Sequence, residues 1–152
     1  YKKMGEHSDQ ALDLADNSYI CLFSCYNNHL ATNIRTLKIK QKNTDITTDI
    51  KLDHNSIILF SLDTNSKYLH KIVLDDNYIN DDEWLGITFR LSKTFIKFIN
   101  EIPYLYNNII LTLATPDEMK QIYKHRSDEN KSVNFVWPEI NYTISPSDII
   151  LI

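Results

Sequence analysis

The chain has 152 residues, 43% hydrophobic and 24% charged, with net charge −4 and two cysteines, a length that suits one compact domain with a sizeable core. An acidic balance without a basic stripe argues against tight, sequence-independent binding of nucleic acid, and no apolar run approaches the about 20 residues of a membrane helix. Cys21 and Cys25 are too few for a disulfide framework and suit a reducing, intracellular compartment, cytoplasm or nucleus.

The chain opens on YKKMGEHSDQ, which places His7 and Asp9 one residue apart just after Gly5 and reads as a segment of something longer. Residues i and i+2 of an extended segment project to one face, so an imidazole and a carboxylate here can approach one ion. Such a pair suits Fe(II), Zn(II) or Mn(II), and the third ligand must come from elsewhere.

From Ser18 to Leu91 the chain reads as short β-rich runs: SYICLFSCY, TLKIKQK, TDIKLD, SIILFSL, YLHKIVL and WLGITFRL. Asn- and Asp-rich turns separate them, including Asp53–Asn55, Asp63–Asn65 and the acidic stretch DDNYINDDE. Short, evenly spaced runs predict a β-barrel or sandwich. TFIKFINEIPYLYNNIILTLA fits helix or strand equally. Thr115-Pro116-Asp117-Glu118 then supplies an N-cap, a proline at the first helical position and a capping-box glutamate, which predicts a helix through EMKQIYKHR. SVNFVWPEINYTI looks extended again. The class is mostly β (α+β), with a helical accessory at the C-terminal end.

Four other histidines are candidates for the third ligand. His29 and His54 sit in turn segments, and His125 lies in the basic part of the predicted helix. His70 is inside an apolar strand, where an imidazole is costly unless its nitrogens are used. Alone, such a histidine reads as a hydrogen-bonded core residue; with His7-x-Asp9 it completes two imidazoles and one carboxylate, a set that leaves the opposite face of an iron open. Arg90 lies in the apolar strand GITFRL and needs an anionic partner, which a dicarboxylate cosubstrate or a structural Asp or Glu would satisfy. Cys21 and Cys25, four apart on one strand face, read as packing residues, and Trp137-Pro138 as core.

Four pieces in this order, YKKMGEHSD, SIILFSL, KYLHKIVL and WLGITFRLS, resemble the core of the AlkB-like Fe(II)/2-oxoglutarate-dependent dioxygenases. The resemblance implies a double-stranded β-helix (jelly-roll, cupin-like) core over residues 1–92, lacking its first strand or strands. Residues 93–152 would be a C-terminal extension packed on it. It implies His7, Asp9 and His70 as ligands of Fe(II), and Arg90, Tyr1 and Thr88 as residues that touch 2-oxoglutarate. The implied activity consumes 2-oxoglutarate and O₂ to hydroxylate or demethylate a methylated nucleobase or a protein side chain. Trp84 stands where the family carries a first arginine, Gly86 where it carries asparagine or serine, and Ala11 where DNA-repair members carry an acidic residue. Two other readings compete: a β-helix binding module without turnover, favoured by Trp84, and a zinc hydrolase on the same ligands, which has no use for Arg90.

Overall fold

The computed structural model describes residues 5–28, 30, 33–74 and 83–151. The six runs read from the sequence are six strands: β1 (Tyr19–Tyr26), β2 (Thr36–Gln41), β3 (Thr47–Lys51), β4 (Ser56–Ser61), β5 (Tyr68–Val73) and β6 (Trp84–Phe89). Between β4 and β5 the chain makes a short helix, α1 (Leu62–Lys67), where the sequence predicted only a turn. Ser61 caps it, its hydroxyl accepting from the Thr64 amide at 3.1 Å.

β1 is the centre of one antiparallel sheet, flanked by β4 and β6; β2 is the centre of a second, flanked by β3 and β5. Alternation along β1 explains how they meet. Ile20, Leu22, Ser24 and Tyr26 are buried, whereas the residues between them are partly exposed. Leu22 packs with Leu37 of β2 and with Leu52, and Ile39, Ile50, Ile58, Ile72 and Trp84 surround this cluster. The outer face of β1 joins Cys21 to Leu59 and Phe89, and Phe23 to Ile57 and Ile87. Both cysteines are free and partly exposed there. The ladders among the described residues form separate sheets, and none closes them into a barrel.

The segment that read equally as helix or strand is a hairpin, β7 (Ile96–Ile99) and β8 (Ile102–Leu105). Its two-residue turn, Asn100-Glu101, has φ of 48° and 66°, the left-handed pair that a right-twisted hairpin prefers. Asparagine fills most such positions: Asn17, Asn43, Asn55, Asn100 and Asn108 all have positive φ, and neither glycine does. β9 (Thr112–Leu113) pairs in parallel with β10 (Tyr142–Thr143), which is all of SVNFVWPEINYTI that forms a strand. α2 (Pro116–Lys131) starts as the sequence predicts. Thr115 accepts from the Glu118 amide, and Glu118 reaches back to the Thr115 amide at 2.8 Å. Its C-terminal carbonyls are held by Lys42, a buried lysine whose Nζ donates to Glu129 O at 2.7 Å and Ser132 O at 3.0 Å. No helix among the described residues is long and apolar enough to cross a membrane.

Candidate metal centre

His7 meets β5 through one antiparallel bridge. Its N–H donates to His70 O at 3.0 Å, and the His70 N–H donates to His7 O at 2.7 Å. Directly opposed residues of such a pair carry their side chains on one face, and the two imidazole centroids lie 4.6 Å apart. Asp9 returns to that face two residues later. One donor atom from each of His7, Asp9 and His70 falls within 4.8 Å of the others, which brings the three proposed ligands together. Asp9 Oδ1 is 3.7 Å from Nε2 of both histidines. That is too long for a hydrogen bond and slightly wider than the roughly 3–3.5 Å edges set by metal–ligand bonds of about 2.0–2.2 Å.

Each donor is prepared by what surrounds it. His7 Nδ1 lies 2.9 Å from Gly5 O, so a proton on Nδ1 is held by that carbonyl and the Nε2 lone pair faces Asp9. Gly5 contributes its carbonyl; a Cβ there would meet nothing within 4 Å. His70 is pushed down to about pKa 4, chiefly by burial and then by His7, with Arg90 adding to the effect and Asp9 opposing it. Its ring is therefore neutral near pH 7, as a ligand must be. Phe60 stands edge-on to it at 5.8 Å. Asp9 is only 7% exposed, and its second oxygen, Oδ2, accepts from both Nε and Nη2 of Arg90 at 2.8 Å. Arg90 thus finds its anion in the site's own carboxylate, leaving Oδ1 as the oxygen turned toward the histidines.

Thr88 sits on β6 opposite Leu22 and is exposed. Tyr1 and His29 lie outside the described residues, as do residues 75–82 of the acidic stretch. His54 and His125 serve elsewhere. His54 Nδ1 accepts from the Tyr26 amide at 3.1 Å, and His125 packs against Phe135 and Trp137.

Trp84 and Gly86 explain each other. A Cβ on Gly86 would sit 2.2 Å from Trp84 Cη2, so the glycine makes room for the chain's own indole. Trp84 Nε1 donates to Ser24 Oγ at 2.7 Å, and the Arg35 guanidinium lies 4.8 Å over the indole. The position where the AlkB-like pattern has an arginine is therefore filled by an aromatic core residue.

Sequence reasoning missed the groups that hold the segment carrying His7 and Asp9 in place. The carboxamide of Asn65, on α1, accepts from Asp9 N at 2.8 Å and donates to Asp9 O at 2.7 Å. From α2, Asn130 Oδ1 accepts from Ser8 N (2.8 Å) and Ser8 Oγ (3.0 Å), Glu129 accepts from Ala11 N (2.9 Å), and Arg126 Nε donates to Gln10. Burial raises the Glu129 pKa. The larger described cleft, about 810 Å³, begins beyond Gln10 and Arg126 and is lined by none of the three candidate ligands. No protein-family model and no curated protein matches the chain.

Proposed function

We propose that this domain is a mononuclear Fe(II)/2-oxoglutarate-dependent oxygenase that hydroxylates or demethylates a macromolecular substrate, a methylated nucleobase or a protein side chain. The observation that carries the reading is the convergence of His7, Asp9 and His70, brought by separate parts of the chain to within 4.8 Å. Two imidazoles and one carboxylate oxygen fit a divalent first-row metal and leave half of its coordination sphere open. A ferrous ion in that position supplies the redox chemistry by which O₂ and 2-oxoglutarate yield a hydroxylated substrate, succinate and CO₂.

The chain's own groups have separable tasks. Gly5 O orients His7, and burial keeps His70 unprotonated. Arg90 occupies Asp9 Oδ2, so the carboxylate offers one oxygen rather than two to the ion. The same guanidinium is the cation nearest the proposed ligands and the group that would meet a cosubstrate carboxylate. The jelly-roll arrangement belongs to this reading, with the β1- and β2-centred sheets as its two halves.

Incubation with Fe(II), 2-oxoglutarate and O₂ tests the proposal. Succinate release that disappears in Asp9→Ala supports it. Absence of both succinate and 2-oxoglutarate binding refutes it. A second reading, a metal-holding module without turnover, is favoured by one observation: Trp84 fills the core where the family pattern has its first arginine. It predicts that the chain binds metal and leaves 2-oxoglutarate unchanged.

A further inference from the structure

The segment carrying His7 and Asp9 is anchored unusually. Its ladder with β5 lasts a single residue pair, His7 with His70. Two residues on, the main chain of Asp9 has left the strand, yet its N–H and C=O are both satisfied, by one side chain, that of Asn65. A carboxamide carries an acceptor oxygen and an N–H donor in one plane, as a peptide group does, so Asn65 substitutes for the missing strand neighbour. Its side chain is only 3% exposed, where unmatched donors or acceptors would be costly. No other residue type of the same size pairs both groups: aspartate cannot donate, and leucine offers nothing. Asn65 also lies five residues before His70, on the short helix that runs directly into β5. One compact segment therefore sets Asp9 through hydrogen bonds and His70 through the chain.

We propose that Asn65 is a positioning residue of the metal centre, its carboxamide fixing the Asp9 carboxylate where one ion can be shared with both imidazoles. The inference rests on the metal-site reading above and adds a residue that touches neither metal nor substrate. Groups that orient metal ligands in this way commonly change affinity by about 10- to 100-fold when altered.

The test is a Co(II) titration of the unmodified chain, Asn65→Asp and Ile20→Val, followed by isothermal calorimetry and the visible Co(II) spectrum. Ile20 is a core residue at 1% exposure, so its variant reports general loss of stability. Asn65→Asp is expected to weaken Co(II) binding about 10- to 100-fold and to alter the spectrum, while Ile20→Val binds as the unmodified chain does. Affinity within twofold of the unmodified chain for Asn65→Asp overturns the positioning role and leaves the metal site intact. Absence of Co(II) binding by the unmodified chain overturns the metal reading and the positioning role together. Should Asn65→Asp fail to fold, hydrogen exchange on the unmodified chain decides: a protected Asp9 amide is expected, and exchange as fast as in an open loop overturns the inference.

Discussion

Gly86→Ala tests the packing inside the β1-centred sheet with the smallest possible change. The added methyl would stand 2.2 Å from Cη2 and 2.4 Å from Cζ2 of Trp84, against an ordinary carbon–carbon contact of about 3.5–4.0 Å. The indole must move by an ångström or more. That displacement breaks the 2.7 Å bond from Nε1 to Ser24 Oγ, which is wholly buried. Overpacking of this kind costs about 1–3 kcal/mol, and the broken buried hydrogen bond adds about 1–3. Replacing a strand glycine returns about 0.5–1 kcal/mol. The expected net loss is about 2–4 kcal/mol, read by urea denaturation. Trp84→Leu combined with Gly86→Ala removes the clash, so the double variant should be less destabilised than the sum of the two single changes. A loss under about 0.5 kcal/mol for Gly86→Ala would refute the contact.

Other outcomes follow from the same geometry. In the metal-free protein His70 has a folded pKa of about 4 against 6.5 when unexposed to the fold, so the unfolded chain takes up its proton first as pH falls. Stability therefore rises with pH between about 4 and 6.5. Up to about 3 kcal/mol should be lost on acidification through that window, read as the difference between the unmodified chain and His70→Asn in pH-dependent unfolding. Lys42→Met removes the two bonds to the end of α2 and should cost about 1–3 kcal/mol, with faster amide exchange in the last turn of that helix. Thr115→Ala should cost about 1 kcal/mol in thermal unfolding through loss of the N-cap.

The strands were legible because their signal is local. Six β-rich runs separated by Asn- and Asp-rich turns became six strands, and the Thr-Pro-Asp-Glu step became a capped helix. The hairpin at residues 96–105 was not, because its left-handed turn uses Asn100-Glu101, without the glycine that usually marks one. Helix α1 is only six residues long and shows no period to read. The three candidate ligands were legible because His-x-Asp and a histidine in an apolar strand are unusual for their surroundings. Asn65, Glu129 and Asn130 were not, since their partners lie 56 to 122 residues away and asparagine in a helix carries no mark of its role. The Trp84–Gly86 contact was half legible. Two residues at i and i+2 share a strand face, but only the folded chain shows that the space above the glycine belongs to the indole.

Anaerobic Fe(II) titration reads out whether His7, Asp9 and His70 share one metal ion. One equivalent per chain is expected, abolished in both Asp9→Ala and His70→Ala while His54→Ala binds normally. Equal binding by all four proteins, or none by the unmodified chain, would overturn the shared site.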